Sequence, residues 1–214
     1  MEFTEFVLSQ LPPAPARVLE VGCGTEGGLV EPLADVGYDV LGIDPDAPAG
    51  GRFRQISLEE LEEPQSFDAV VASRVLHHVH TLGDALDKLA RLAPLLLVDE
   101  FAYELIDEMT RDWYESQHRL LRAAGVEPSG PPDLDEWRGR HPDIHPSHLL
   151  VAELDRRFER LYCERRPYLY RWLNGPASEA LEATLIAARA IQPIGLRYAG
   201  VARTETTRSS APSR

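Results

Sequence analysis

Two acidic residues and two glycines near the start of the chain have the types and spacing of a nucleotide-binding site. Glu20 stands two residues before Gly22, Gly24 follows, and Asp44 comes 20 residues after Gly24. Glycines let a backbone turn tightly and approach a ligand closely, and a carboxylate at this distance can accept hydrogen bonds from both hydroxyls of a ribose. The structural alternatives are a tight strand-to-helix turn at the glycines and a strand-ending turn at Asp44-Pro45.

The charge of Glu20 separates the two nucleotides that fit such a loop, NAD and S-adenosylmethionine. A pyrophosphate at the loop would meet an anion at close range, whereas the ammonium of a methionyl group would be attracted to it. Glu20 therefore favours S-adenosylmethionine, with a solvated strand-end charge as the alternative. Cys23 lies in the same loop among acidic neighbours that disfavour a thiolate, so we interpret it as a small buried residue.

Two further segments carry polar groups that follow predicted strands. Ser57, between two aliphatic residues, could hold an adenine ring through backbone and apolar contacts, or could be the N-cap of a helix. Residues 72–79 follow another strand and include Ser73, His77 and His78. Open α/β sheets bind ligands at the carboxyl ends of their strands, so these segments are expected to join the glycine loop at one site.

Four histidines, His77, His78, His145 and His148, are candidates for acid–base chemistry on a methyl acceptor. Histidine is the side chain best suited to this work near neutral pH. We predict His78, His145 and His148 as catalytic residues, the last two in a lid over the acceptor, with ordinary structural or loop histidines as the alternative. The H-x-x-H spacing, with His141 and Asp143 nearby, also resembles metal ligands, but intervening prolines argue against one ordered face, and no metal is predicted.

Aromatic and basic residues in the second half are candidates for contacts with the acceptor. The predicted substrate-binding residues are Tyr103, Trp113 and Tyr168, and each of them has a place in the core as its alternative. Tyr170 and Trp172 belong to the same aromatic group. The arginines that could meet an acidic substrate, or simply form a solvated strand edge, are Arg165, Arg166 and Arg171.

Strands must position these residues. Short, nearly continuous apolar runs predict strands at residues 17–21, 38–43, 67–72 and 95–98, with a weaker candidate at 52–56. Runs of this kind are typical of strands that are covered by helices on both faces. Because helix signals separate the strands, we expect an α/β fold with a doubly wound parallel sheet and right-handed crossovers.

Helix signals fill the segments between and after these strands. Thr81 and Asp84 have the spacing of a capping box ahead of an apolar helical repeat. A shorter helix is expected between residues 28 and 37, with Pro32 in its first turn. Residues 103–124 predict a helix that has Ile106, Met109, Trp113 and Leu120 on one stripe, and Gly125 is expected to stop it.

The remaining segments complete the predicted order. Residues 127–148 are rich in Pro, Gly and His and are too long for a simple connection, so they are interpreted as a lid or binding loop. A strand is expected within 158–172, a helix at 177–190 and a last strand at 195–203. The tail at 204–214 has no core-forming residue larger than Ala and is predicted to be disordered.

Charge and composition exclude several classes of protein. The chain has 214 residues, with 22 Lys and Arg against 35 Asp and Glu, a net charge of −13 that counts against nucleic acid or an anionic membrane as main partner. No run approaches the roughly 20 apolar residues of a membrane-spanning helix. The acidic N-terminus shows no export signal, and two cysteines make no disulfide scaffold, so a cytoplasmic location is expected.

The motifs VLEVGCGT, GIDPD, FDAVVASRVLHHV and LLLVDEF, taken in this order and spacing, resemble the Rossmann-fold (class I) S-adenosylmethionine-dependent methyltransferases, in the small-molecule branch that includes the ubiquinone-type enzymes. The resemblance covers roughly residues 15–102. It departs from the family at Glu26, where the pattern has a third glycine. By this resemblance the cofactor-binding residues are Glu20, Gly22, Cys23, Gly24, Asp44, Pro45, Ser57 and Ser73.

The resemblance implies a sheet of about seven strands whose last two form an antiparallel hairpin. We expect a single methyltransferase domain at 1–203, with a cofactor-binding core at 15–102, a helical lid insertion at 103–157 and C-terminal strands and a helix at 158–203. The expected activity is methyl transfer from S-adenosylmethionine to a small organic acceptor, with oxygen favoured over nitrogen or carbon, by a monomer or homodimer. An NAD(P)-dependent oxidoreductase and a non-catalytic protein with a methyltransferase-like fold are the alternatives.

Overall fold

The computed structural model describes residues 2–62 and 67–203, so the tail at 204–214 lies outside the described residues. Seven strands form one sheet. They are β1 (Arg17–Val21), β2 (Asp39–Ile43), β3 (Phe53–Arg54), β4 (Ala69–Ser73), β5 (Leu95–Phe101), β6 (Phe158–Arg166) and β7 (Gly195–Ala202).

The strand order is β3-β2-β1-β4-β5-β7-β6. The first five strands in this order pair in parallel, and β7 pairs antiparallel with both β5 and β6. The doubly wound sheet and its antiparallel last hairpin are therefore confirmed. Because the parallel strands run the same way, β1, β2, β4 and β5 all bring their carboxyl ends to one edge, which is called the carboxyl edge below.

Helices cover both faces of the sheet, which explains the nearly continuous apolar runs. All five residues of β4 are buried. Val70 packs in the core cluster on one face with Leu19 and Leu86, whereas the adjacent Val71 packs in the cluster on the other face with Val18. Successive side chains of a strand point to opposite faces of the sheet. A strand that is buried on both faces therefore needs apolar residues at every position.

Seven α-helices are described. They are α1 (Phe3–Gln10), α2 (Val30–Asp35), α3 (Leu82–Leu92), α4 (Glu108–Ala123), α5 (Leu134–Arg140), α6 (Ser147–Arg157) and α7 (Pro176–Ala187). Helix α3 begins after Thr81 and buries the predicted apolar repeat, but the Thr81 side chain makes no capping hydrogen bond. The spacing located this helix start correctly, although the expected capping contact is absent.

Helix α4 buries a different face from the stripe that its apolar residues mark. The buried residues are Thr110, Tyr114 and His118, whereas Met109 is 61 % exposed and Leu120 is 64 % exposed. The buried polar groups have partners, since Tyr114 Oη donates to the Pro131 carbonyl at 2.7 Å and His118 Nε2 donates to the Gly130 carbonyl at 3.2 Å. These bonds remove the usual cost of burying a polar face.

The predicted lid segment contains regular structure rather than one long loop. Helix α5 forms within it, because the Asp133 side chain caps the helix by accepting from the Glu136 N–H at 2.8 Å. Helix α6 starts at Ser147, so His148 lies on a helix and only His145 precedes it in a loop. No helix in residues 2–62 or 67–203 has the length and apolarity needed to cross a membrane.

Candidate functional site

Two neighbouring cavities open at the carboxyl edge of the sheet. The Asp44 cavity, of about 280 Å³, is lined by the ends of β1 and β2, residues 56–59 and the segment after β4. The Glu20 cavity, of about 360 Å³, is lined by residues of the glycine loop, α1, the segment after β4 and the 3-10 turn at Leu169–Arg171. Gly22 and Arg74 line both cavities, so an elongated ligand could extend from one into the other.

Glu20 is a buried carboxylate at the end of β1. It is 1 % exposed, and its Oε2 accepts from the Leu29 N–H at 2.7 Å, at the start of α2. Burial raises the pKa of Glu20 from 4.5 to about 7, against the lowering effect of the backbone hydrogen bond from Leu29 and the charge of Arg74. A cation beside a buried carboxylate stabilises its ionised form. Glu20 therefore suits the role inferred from the sequence, which is to attract the ammonium of a methionyl group.

The glycine loop depends on the absence of a side chain at Gly22. Its φ is +82°, and a Cβ there would lie 2.7 Å from Val75 Cβ and 3.1 Å from the Ser73 carbonyl oxygen. Any other residue would push the loop away from the segment after β4. Gly22 therefore holds together the two segments that join the cavities.

Asp44 links the end of β2 to the glycine loop. Its Oδ2 accepts from the Gly24 N–H at 3.1 Å, and its Oδ1 accepts from the Asp46 N–H at 2.8 Å. The carboxylate lines the Asp44 cavity together with Pro45. Both backbone bonds fix the orientation of the carboxylate at the cavity wall.

Cys23 is buried beneath this loop, and burial with the charges of Glu20 and Asp44 raises the pKa of its thiol to about 12. The thiol therefore stays protonated at neutral pH. This agrees with its interpretation as a small buried residue rather than a nucleophile.

Ser57 combines features of both of its sequence interpretations. It lines the Asp44 cavity between Ile56 and Leu58. Its N–H donates to Glu60 Oε2 at 2.9 Å, and its Oγ accepts from the Glu60 N–H at 3.3 Å, the reciprocal bonds of a capping box. These bonds stabilise a turn at residues 58–60 and no α-helix is found at residues 58–62, so Ser57 caps a turn and not a helix in this part of the chain.

Strand β4 ends at Ser73 and the segment after it begins with Arg74, and both residues line the Glu20 cavity. Arg74 has a φ of +55°, a conformation that non-glycine residues rarely adopt. Its N–H donates to the Asp99 carbonyl at 2.7 Å, which anchors this backbone to the end of β5. The sequence reasoning gave Arg74 no role, and no local pattern predicts its backbone conformation.

His77 and His78 are adjacent in sequence but have different surroundings. His77 is buried, and its Nδ1 donates to Glu100 Oε2 at 2.7 Å, while Glu100 Oε1 accepts from the Leu76 N–H at 2.7 Å. Glu100 is completely buried on β5 and therefore holds this segment in place. His77 is thus fixed as part of the scaffold, and sequence reasoning missed Glu100 because its partners lie more than 20 residues away.

His78 is exposed and lines the Asp44 cavity. Its ring contacts that of His77 in a tilted arrangement with centroids 4.0 Å apart, and the centroid of the His141 ring lies 6.1 Å away. The pKa of His78 is lowered, mainly because its ring is partly buried and secondly because His77 lies beside it. The imidazole is therefore neutral at physiological pH and able to accept a proton.

His145 and His148 have different partners, and neither is among the described residues that line the two cavities. His145 Nε2 donates to the Val79 carbonyl at 2.8 Å, which ties the residues before α6 to the segment after β4. The side chain of His148 is 68 % exposed, with Nδ1 3.9 Å from Glu104 Oε1. Across residues 2–62 and 67–203, no group of three His, Cys, Asp or Glu side chains is arranged to hold a metal ion.

The three predicted substrate-binding residues lie in or against an aromatic cluster beyond β5. Tyr168 is buried and stacks on Phe101 with ring centroids 4.8 Å apart. Tyr103 Oη accepts from Arg138 Nη2 on α5 at 2.9 Å. Trp113 packs against the cluster, and its buried Nε1 has no hydrogen-bond partner within the described chain. None of the three is among the described residues that line the two cavities, but Tyr168 is close to one of them, since Arg171, which lines the Glu20 cavity, lies 5.3 Å from its ring centre.

The candidate arginines separate into one cavity residue and two others. Arg171 Nη1 donates to Asp99 Oδ2 at 2.5 Å, and Arg171 lines the Glu20 cavity. Arg165 Nη2 donates to Ser147 Oγ at 2.7 Å, and Arg166 pairs with Glu164 at 3.1 Å. Of these three described arginines, Arg171 is the one that lines a cavity and is placed to contact a ligand there.

These residues fit S-adenosylmethionine better than NAD. In dinucleotide-binding sites the N–H groups at the helix start hold the pyrophosphate. Here Glu20 already accepts from the Leu29 N–H at that position, and its buried carboxylate would repel a phosphate. An adenosine in the Asp44 cavity and a methionyl ammonium beside Glu20 would meet complementary groups.

Comparison with known proteins agrees with this chemistry. Residues 2–161 match a family model described as a methyltransferase domain. The ubiquinone biosynthesis O-methyltransferase of Rhodopseudomonas palustris (strain TIE-1) is 27 % identical over 180 residues, which cover 64 % of this chain and 70 % of that protein.

Solved structures share the fold. A structure described as a putative S-adenosylmethionine-dependent methyltransferase from Listeria monocytogenes has a TM-score of 0.57 at 16 % identity and covers 94 % of this chain and 96 % of its own. Geranyl diphosphate C-methyltransferase from Streptomyces coelicolor has a TM-score of 0.57 at 13 % identity and covers 92 % of this chain and 77 % of its own. With its family model matching well over half of its length, the chain belongs to the Rossmann-fold S-adenosylmethionine-dependent methyltransferases.

Proposed function

We propose that this methyltransferase transfers the methyl group to an oxygen atom of a small organic acceptor. The observation that carries the proposal is the pair of joined cavities with Glu20 facing one and Asp44 the other. The curated relatives of the chain are named as O-methyltransferases, which supports oxygen as the acceptor atom here.

S-adenosylmethionine, when bound, supplies a methyl group already activated for transfer, so the chain mainly has to bind, orient and exclude water. Asp44 would accept from the ribose hydroxyls, while Ile56, Ser57 and Leu58 would contact the adenine. Glu20 would hold the ammonium of the methionyl part. Gly22 and Gly24 let the loop approach the cofactor without a side chain in between.

We assign His78 as the base that accepts the proton of the acceptor hydroxyl. Two observations support this role: its lowered pKa keeps the ring neutral, and it lines the Asp44 cavity with the rings of His77 and His141 nearby. A neutral imidazole can take a proton from a hydroxyl as the oxygen attacks. Tyr168, Tyr103 and Trp113 remain the predicted acceptor contacts.

His145 and His148 keep a proposed part in the reaction, with different expected roles. His145 is bonded to the Val79 carbonyl next to His78, so we expect it to act by positioning the lid. His148 is exposed on α6, and its catalytic role depends on closure of the lid toward the acceptor. Unchanged kcat in both His145→Ala and His148→Ala would remove these residues from the chemistry.

We propose a small molecule rather than a nucleic acid as the partner of this site. The net charge of −13 disfavours a polyanion. The two cavities, of about 280 and 360 Å³, are in the size range of small-molecule sites. The monomer or homodimer expectation is tested by the mass of the protein in solution.

Isothermal titration with S-adenosylhomocysteine, followed by methyl-transfer assays on a panel of phenols, alcohols, amines and carbon acids, tests the proposed function. Asp44→Ala should weaken S-adenosylhomocysteine binding at least tenfold, because it removes the ribose contact. Asp46→Ala is the matched control, since Asp46 is exposed and offers Asp44 only its N–H. Equal affinity in Asp44→Ala and wild type, or transfer to nitrogen or carbon acceptors alone, would overturn the assignment.

A further inference from the structure

The Glu20 cavity has charged groups of both signs around a small volume. Buried Glu20 lies on one side, Arg74 and Arg171 also line the cavity, and Glu2 stands exposed beside it on the segment before α1. An α-amino acid group carries an ammonium and a carboxylate a few ångströms apart. The arrangement therefore matches both ends of such a zwitterion, and Glu20 alone accounts only for the ammonium.

Arg171 is held in place with part of its guanidinium still available. Its Nη1 donates to Asp99 Oδ2 at 2.5 Å, and its Nε donates to Tyr170 Oη at 3.3 Å. Burial is the largest single influence and lowers the pKa of Arg171, but the charge of Asp99 and the hydrogen bonds to Tyr170 and Asp99 together outweigh it and leave the pKa raised, so the group is always cationic. Nη2 makes no hydrogen bond within residues 2–62 and 67–203, which leaves donors for a ligand.

Arg74 is fixed through its backbone and leaves its side chain available. Its N–H donates to the carbonyl of Asp99, the same residue whose carboxylate holds Arg171. The side chain is exposed and makes no hydrogen bond to any residue that the structure describes, although its charge acts on Glu20. Asp99 thus positions both arginines, one through its backbone and one through its side chain.

We propose that Arg171, assisted by Arg74, binds the carboxylate of the methionyl part of the cofactor, with Asp99 as the positioning residue. Guanidinium–carboxylate hydrogen bonds are strong and directional, which suits a fixed donor such as Arg171. This inference rests on the proposed function. The inference goes beyond the proposed function by naming the contact for the methionyl carboxylate, which neither Glu20 nor Asp44 holds.

Two ligands separate this contact from a structural effect. S-adenosylhomocysteine contains the amino acid group, whereas 5′-methylthioadenosine has the same adenosine and thioether without it. Arg171→Met should weaken S-adenosylhomocysteine about 10- to 100-fold in isothermal titration and change 5′-methylthioadenosine less than twofold, as expected for one or two charge-assisted hydrogen bonds. Arg171→Lys should fall between wild type and Arg171→Met.

Further variants keep the test independent of folding defects. Arg171→Met leaves buried Asp99 with fewer partners, so Arg74→Gln, which removes no hydrogen bond of the described chain, serves as a second variant. It should weaken S-adenosylhomocysteine severalfold and spare 5′-methylthioadenosine. Asp99→Asn should show the same selective loss. Arg156→Met, on the exposed face of α6, is the control that should change neither ligand.

Each remaining outcome contradicts the inference. Equal losses for both ligands would indicate a structural role for Arg171. Unchanged binding of both ligands, with a raised KM for an acidic acceptor, would make the acceptor the source of the carboxylate. If the wild-type protein binds neither ligand, the proposed function itself fails, a result distinct from any selective loss.

Discussion

Glu20 lowers the stability of the ligand-free protein at neutral and alkaline pH. Burial raises its pKa from 4.5 to about 7, so the folded chain keeps a proton that the unfolded chain loses between these values. Stability therefore falls as pH rises from 4.5 through about 7, and the loss above that range is about 3 kcal/mol. Glu20→Gln should raise the free energy of unfolding by up to this amount at pH 8, measured by urea denaturation.

The same substitution should leave stability nearly unchanged at pH 4, because Glu20 is then mostly protonated in both the folded and the unfolded chain. Glu26→Gln, an exposed change in the same loop, provides the comparison. A pH-independent gain in Glu20→Gln would show that the effect is unrelated to titration. The variant should also lose affinity for S-adenosylhomocysteine, which would identify the carboxylate as kept for binding rather than for folding.

His78 gives a second prediction at this scale. If it accepts the acceptor's proton, His78→Gln should lower kcat by about 100-fold or more, the usual size of a lost general base. The wild-type kcat should fall as pH decreases below the lowered pKa of His78, because the protonated ring cannot take a proton. Steady-state kinetics with saturating cofactor between pH 5 and 8 measure both effects.

His80→Gln is the matched control, since His80 is exposed two residues further along the same segment. Saturating cofactor separates the two acidic titrations, because protonation of Glu20 would act on cofactor affinity and protonation of His78 on kcat. A normal kcat in His78→Gln with an acid limb like that of wild type would assign the proton transfer to another group.

At the scale of elements, strands were predicted more securely than helix faces. The β1 residues Val18 and Leu19 are apolar because both sides of that strand are buried, so a local run of apolar types is sufficient evidence. In α4 the buried residues Tyr114 and His118 depend on carbonyls of residues 130 and 131, which the chain brings back only after folding. Local apolar periodicity contains no information about such partners.

In helix α4, a buried residue with a polar tip should therefore contribute more to stability than an exposed apolar residue. Tyr114→Ala should lower the free energy of unfolding by about 3–5 kcal/mol, because it leaves a cavity and an unpaired Pro131 carbonyl. Leu120→Gln should change it by no more than about 0.5 kcal/mol, as is usual for an exposed position. Chemical denaturation of both variants tests this, and a costly Leu120→Gln would mean that something covers the Leu120 face in solution.

At the scale of the whole molecule, the sheet assembles a site from residues far apart in sequence. Glu20, Gly22 and Asp44 could be predicted because their spacing follows from one strand–helix–strand unit. Asp99 contacts Arg171, 72 positions away, and Glu100 contacts His77 across two strand ends. These pairs could not be predicted because they depend on the strand order and on where the segment after β6 returns to the sheet.

Because Glu20 belongs to this site, cofactor binding should be coupled to the release of a proton. With a pKa of about 7, Glu20 is half protonated in the free protein at pH 7, and an ammonium beside it favours the ionised form. Binding of S-adenosylhomocysteine should then release about 0.5 proton at pH 7 and about 0.1 at pH 8. Titration calorimetry in buffers of different ionisation enthalpy measures this number, and Glu20→Gln should abolish it. Proton release that persists in Glu20→Gln would place the titrating group elsewhere, and the ammonium would lose its assigned partner.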